Sequence, residues 1–204
     1  MSVNYVIRAE VVDIQSDAPR NGDVFMVDSN VWFWMTYVSA STNAMAYQTR
    51  DYPEYVNKAL ALGVRIFCSG LSMAELTHLI ETNERKIYSQ YCGSIGTKEY
   101  RHNLPTERER IVKEIEAAWV QVKTMSDLLE LSIDDTTTSS AINRLQNDLV
   151  DGYDLFILET IERHKIPQVI TDDGDFTTIS GVQIFTANRT VLNAARSQGK
   201  LVVR

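Results

Sequence analysis

Cysteine is scarce in this chain: its 204 residues include two, Cys68 and Cys92. Their spacing fits neither a thiolate metal site nor a disulfide framework, so a reducing compartment is the simpler setting. Long hydrophobic runs are missing as well. No stretch approaches the roughly 20 apolar residues of a membrane span. The N-terminal MSVNYVIRAEVVDIQ has no basic segment followed by an apolar one, as an export signal would. A cytoplasmic location and no membrane partner are expected. Basic charge is also in short supply, with 20 Lys and Arg against 27 Asp and Glu and a formal charge of −7. That balance argues against an extended basic surface gripping nucleic acid through many phosphate contacts. An enzyme that meets phosphates through metal ions stays open. No repeat or low-complexity tract interrupts the chain.

What is present is a composition ordinary for a folded domain, 44% hydrophobic and 23% charged, at a length that suits one well-cored unit with room for an insertion. Val3 to Ile14 is rich in β-branched residues and predicts a strand, followed by a polar loop with Pro19 and Gly22 as turn signals. The continuous apolar run Val24 to Val27 predicts a strand covered on both faces, and Asp28 stands at its end. YPEYVNKALALG, with Pro53 early and Gly63 late, suits a helix stopped by a glycine. VRIFCSG then reads as a buried strand, with Ser72 opening another helix. From about 85 to 147 the pattern is mostly helical, with Ile111, Ile115, Ala118 and Val122 at helical spacing, and reads as an insertion against the core. Alternation then resumes: a helix from about Leu149 to His164, strands QVITD and VQIFT, and a helix near RTVLNAARSQG. The expected fold class is α/β, a three-layer α/β/α arrangement with a mainly parallel central sheet.

Acidic residues fall where such a sheet gathers chemistry, outside the carboxyl ends of its strands. Asp28 follows the first core strand; Asp172, Asp173 and Asp175 follow QVIT in the octapeptide VITDDGDF. Asp154 falls among Val150, Ile157, Leu158 and Ile161 on a helical wheel, which puts a carboxylate in the stripe meant for the core. Such a group needs a cation, strong donors or a raised pKa. Asp151 lies one turn earlier, and Glu75 sits at the margin of the stripe of Leu76, Leu79 and Ile80. Each has a plain structural reading too. Asp28 or Ser29 can cap a helix, Ser72 and Glu75 form a capping-box pattern, Asp154 can pair with a buried Lys or Arg, and the aspartates around Gly174 can be turn formers. Taken together those readings crowd carboxylates with no basic run beside them. A divalent cation removes the conflict, and hard oxygen donors of this kind suit Mg2+ or Mn2+.

These residues resemble the PIN-domain family of metal-dependent nucleases, which includes VapC-type toxins. The matching pieces are FMVDSNVW, SMAEL, YDLFILETI and VITDDGDF, in that order, over about residues 23 to 190. The resemblance implies a domain from 23 to 204 carrying the helical insertion at about 85–147, with residues 1–22 as an N-terminal strand and loop extension. It places the catalytic acids at Asp28, Glu75, Asp154 and Asp173, and metal ligands at Asp28, Asp154, Asp173 and Asp175. Asn30, Thr171 and Asp151 are then supporting residues. Expected function is hydrolysis of RNA phosphodiester bonds with Mg2+ or Mn2+ as cofactor; a toxin of this kind would also have an antitoxin partner.

Two other readings stand beside it. A haloacid-dehalogenase-like phosphohydrolase also places an Asp after its first strand but wants a second two residues on, where this chain has Asn30. A PIN-like module could instead bind RNA or protein without cutting. Lys98, Arg101, Arg108 and Arg110 are candidates for phosphate contact or, more simply, a solvated helix face. His78 reads as structural, and Trp32, Phe33, Trp34 and Tyr37 as core packing or a homodimer contact.

Overall fold

The computed structural model describes residues 3–204, so Met1 and Ser2 of the expected extension lie outside the described residues. Among the described residues there are seven strands: β1 (Glu10–Asp13), β2 (Val24–Val27), β3 (Arg65–Ser69), β4 (Asp127–Leu129), β5 (Gln168–Ile170), β6 (Gln183–Thr186) and β7 (Leu201–Val202). The helices are α1 (Ser29–Thr36), α2 (Ala46–Ala61), α3 (Gly70–Cys92), α4 (Thr97–Asn103), α5 (Pro105–Met125), α6 (Asp135–Arg144), α7 (Gly152–His164) and α8 (Arg189–Ser197).

All pairings run parallel, in the order β4-β3-β2-β5-β6-β1-β7. Alternate residues of each strand serve opposite faces, which is why the core strands read as unbroken apolar runs. Phe25, Val27, Ile66, Cys68, Ile170 and Phe185 pack with α1, α2, α3 and α5. Met26, Phe67, Val169 and Ile184 pack with α7 and α8 on the other side. The three-layer α/β/α expectation holds, with every strand of the described sheet parallel.

Within the 85–147 stretch, α5 buries the expected Ile111, Ile115, Ala118 and Val122 and packs on α1 and α3. Its apolar pattern continues into Asp127–Leu129, which leaves the helix and pairs with β3 as an edge strand. The predicted strand at Val3–Ile14 shortens to Glu10–Asp13, lodged between β6 and β7. Residues before it break the ladder pattern, since the N–H groups of Arg8 and Ala9 both donate to Thr177 O. Helix α2 begins well before Pro53, at Ala46, because the Gln48 side chain takes the Met45 N–H and closes the first turn. It ends as expected: Gly63, at φ +71, lets its own N–H reach Leu60 O while Val64 N–H reaches Ala59 O. Helix α7 starts at Gly152 rather than near Leu149, because the Asp151 side chain takes the Tyr153 and Asp154 N–H groups.

From β2 the sheet grows one way through β3 and β4 and the other way through β5 and β6. The crevice at that reversal opens at the carboxyl ends of β2 and β5.

Candidate metal centre

Asp28 leaves β2 with its N–H still bonded to Ile170 O at 3.0 Å, which seats its side chain beside the end of β5. It also caps α1: Oδ1 accepts the Ser29 N–H at 2.6 Å. Oδ2 accepts from Asn30 Nδ2 at 2.7 Å and from Thr171 Oγ1 at 2.6 Å. The same Thr171 hydroxyl accepts the Asp173 N–H at 2.8 Å, so the two strand ends are tied through one side chain.

Glu75 comes from α3. That helix is capped by Ser69 and Ser72 rather than by Ser72 and Glu75, since it begins at Gly70. Relieved of a capping role, Glu75 reaches α1, where Ser29 Oγ donates to its Oε2 at 2.5 Å. Asp154 enters from the first turn of α7 and is 6% exposed. Among the described residues no hydrogen bond reaches its carboxylate and no Lys, Arg or His forms an ion pair with it.

A cleft of about 340 Å³ is lined by Asp28, Glu75, His78, Asp151, Asp154 and Asp173, with Ser29, Asn30, Leu79 and Tyr153. Glu75, Asp151 and Asp154 each offer a carboxylate oxygen, and these three atoms lie within 4.8 Å of one another. Burial and mutual repulsion raise Asp28, Glu75, Asp154 and Asp173. Burial first, then the charges of Asp28, Asp151, Glu75 and Asp173, push Asp154 up to about 9. Burial, helped by Glu75 and Asp173 and opposed by the Thr171 hydrogen bond, pushes Asp28 up to about 7. Glu75 and Asp173 are raised by burial, then by Asp151 among other charges.

Of the acids singled out in the sequence, Asp28, Glu75, Asp154 and Asp173 thus share one cleft. Asp151 joins them as a candidate ligand while also capping α7. Asp175 lies at the margin: its N–H donates to Asp173 Oδ1 at 2.9 Å, and burial together with Asp173 and Asp151 raises its carboxyl. Asp172 belongs elsewhere, since its carboxylate accepts from Tyr47 Oη, Gln48 Nε2 and Tyr52 Oη on α2. Asn30 and Thr171 both hold Asp28. His78 lines the cleft beside Glu75, whereas Arg101 and Arg108 pair with Glu81 and Arg110 with Glu84 and Glu107. Trp32 is fully buried in the core. The part played by Ser29 was not apparent in the sequence, where it reads as one more small polar residue at a helix start.

The donor set fits a hard divalent cation. It is all oxygen, it converges, and its most buried member lacks a partner of opposite charge, an arrangement that repels itself unless a cation intervenes.

A family model described as PIN domain matches residues 25–182. A search of curated proteins finds no match. Among solved structures the fold is similar to a chain in the crystal structure of VapBC2 from Rickettsia felis bound to a DNA fragment from their promoter. The identity is 12%, the coverage 79% of this chain and 96% of that one, and the TM-score 0.44. The family match takes in β2 through β5 with every acid of the cleft, and the chain therefore belongs to the PIN domain family.

Proposed function

We propose that this PIN-domain protein is a divalent-metal-dependent endoribonuclease. The observation that carries the reading is Asp154, a buried carboxylate among four others with no basic partner among the described residues. Such a group destabilises a fold unless the site exists to hold a cation. Glu75, Asp151 and Asp154 would hold Mg2+ or Mn2+, with Asp28 and Asp173 at the same cleft. A bound ion lowers the pKa of a water and offsets charge gathering on the phosphoryl oxygens.

The protein's own residues supply positioning. Thr171 and Asn30 fix Asp28 Oδ2, so this acid meets the cleft in one orientation. Ser29 holds Glu75 Oε2, while no hydrogen bond among the described residues reaches Oε1, which leaves that oxygen available to orient a water. Leu79 and Tyr153 line the cleft beside the acids. Asn30, where a phosphohydrolase of the alternative class would carry a second acid, donates its amide to Asp28 and cannot protonate a leaving group there.

RNA as substrate, and an antitoxin as partner, follow from the motif resemblance. The test is cleavage of RNA and DNA oligonucleotides by protein freed of metal with EDTA and then supplied with Mg2+, Mn2+ or neither. RNA cleavage that requires added metal, and that Asp154→Asn abolishes, is the expected result. Cleavage that persists in EDTA, or that the variant retains, overturns the reading.

A further inference from the structure

The loop that presents Asp173 is held by a part of the chain outside the family match. Residues 3–9 run as a strap rather than as a strand. Gln198, at the end of α8, grips it twice: its Oε1 accepts the Ile7 N–H at 2.9 Å and its Nε2 donates to Tyr5 O at 2.9 Å. Further along, the N–H groups of Arg8 and Ala9 donate to Thr177 O at 2.8 and 3.0 Å. Thr177 belongs to the 3-10 turn Asp175–Thr178 that follows the acidic loop. Arg8 Nη1 also donates to Asn147 O at 2.8 Å, on the segment leading to Asp151, and that segment is tied back by Leu149 N–H to Thr178 Oγ1. One strap therefore touches both the segment that leads to Asp151 and the turn that follows Asp173.

Tyr5 makes the closest approach. Gly174 has φ −73° and ψ −19°, a conformation open to any L residue, so its backbone does not call for glycine. The ring does. A Cβ on Gly174 would lie 2.2 Å from Tyr5 Cζ and 2.6 Å from its Oη. Burial, then the charges of Asp173, Asp175 and Asp172, raise the Tyr5 phenol, as expected of a ring lying beside all three. Gly174 sits between Asp173 and Asp175, and Phe176 just after it is fully buried. The loop is thus anchored by the buried Phe176 and covered at Gly174 by the Tyr5 ring.

We propose that Tyr5 is a positioning residue for the acidic site: its ring, seated on Gly174, fixes the backbone that presents Asp173. The proposal rests on the metal-dependent reading for its activity readout, but not for its structural one. Side chains that orient a ligand without touching the ion are commonly worth about 10- to 100-fold in metal affinity or activity.

The experiment uses the full chain with Mn2+ alone as probe. It compares wild type with Tyr5→Phe, Tyr5→Ala, Gly174→Ala and the Tyr5→Ala/Gly174→Ala pair, each checked for native circular dichroism. Mn2+ affinity, RNA-cleavage kcat and KM, and amide exchange over residues 173–177 are measured well below the melting temperature. Tyr5→Ala is expected to weaken Mn2+ binding about tenfold, to lower kcat more than KM changes, and to speed exchange in the loop. Tyr5→Phe keeps the ring and stays near wild type. Gly174→Ala damages the site while Tyr5 is present, and adds nothing once the ring is gone, a non-additivity expected only of residues in contact. Unchanged Mn2+ affinity and exchange in Tyr5→Ala, additive losses in the pair, or equal losses in Tyr5→Phe and Tyr5→Ala would each overturn the proposal. If Tyr5→Ala does not fold, Gly174→Ala against wild type decides by the same measurements. If the wild type binds no Mn2+ and cuts no RNA, the functional reading falls instead, and the strap stands or falls on the exchange rates alone.

Discussion

Thr171 Oγ1 donates to Asp28 Oδ2 at 2.6 Å, and through that bond the ends of β2 and β5 behave as one unit. The hydroxyl's second bond, from the Asp173 N–H, extends the unit to the next acid. Thr171 is fully buried, so water cannot replace what it provides.

Replacing it with valine keeps the shape and removes both bonds, together with the longer one the hydroxyl accepts from Asn30 Nδ2 at 3.4 Å. Thr171→Val is expected to lower kcat/KM and Mn2+ affinity by about 10- to 100-fold, the usual effect of losing a group that orients a metal ligand. Thr171→Ser should recover most of the loss, because it restores the oxygen. Steady-state cleavage and calorimetric Mn2+ titration of the three proteins check this; equal parameters in all of them would show that Asp28 needs no such support.

Asp154→Asn separates stability from activity. Without metal, wild type must take up a proton to keep this carboxyl buried beside four others, a cost the neutral amide avoids, so the variant is expected to melt higher than wild type in EDTA at neutral pH. A gain of each kcal/mol appears as roughly 2–4 °C for a chain of this size. Adding Mn2+ should reverse the order, since binding stabilises the wild type by mass action and the variant far less. Cleavage should fall to background. Thermal melts with EDTA and with excess Mn2+ give both halves; a variant less stable than wild type in EDTA contradicts the account of Asp154 as a carboxyl whose burial costs the metal-free fold.

The sequence disclosed the parts of this site that local periodicity encodes. The apolar run of β2 announced where Asp28 stands, and the 3.6-residue stripe of α7 marked Asp154 as a carboxylate facing inward. Three aspartates in VITDDGDF could not be told apart, because the direction each side chain takes after β5 depends on what packs there. Asp172 turns to α2 while Asp173 meets the cleft, and nothing within eight residues announces α2. Strand β4 was masked for a related reason: three residues at the end of an amphipathic helix carry too little pattern to betray a change of period. The grip of Tyr5 on Gly174 spans most of the chain, and only the insertion of β1 between β6 and β7 brings the two together.

The contrast between neighbouring acids yields its own test. Asp172 accepts from Tyr52 Oη at 2.6 Å, Gln48 Nε2 at 2.8 Å and Tyr47 Oη at 3.1 Å, and so fastens α2 to the sheet. Asp172→Ala takes the acceptor from Tyr47 Oη and Gln48 Nε2 and leaves Tyr52 Oη with Thr186 and Thr171 O alone as acceptors. It is expected to lower the melting temperature by several degrees while Mn2+ affinity changes by no more than about twofold. Asp173→Ala should show the opposite pattern, with weak Mn2+ binding on a fold of near-native stability. Measuring both quantities for both variants decides which of the paired acids belongs to the cleft.

Away from the cleft, Glu81 on α3 is a carboxylate whose shift runs downward. The hydrogen bonds and charge of Arg101, with a further contribution from Arg108, hold it below the usual glutamate range against the opposing effect of burial. Its folded pKa therefore lies below its unfolded one. Such a group contributes stability above the unfolded pKa, near 4.3, and that contribution disappears as pH falls through the lower folded value. Glu81→Gln removes the linkage along with the charge. At pH 7 the variant is expected to melt a few degrees below wild type, because α4 and the start of α5 lose their tie to α3. As pH falls through that lower folded value the two proteins should converge, since both then carry a neutral side chain at position 81. Melting curves across that range check the prediction, and a gap between the two proteins that stays constant with pH would show that the Glu81–Arg101 pair does not hold α4 to α3.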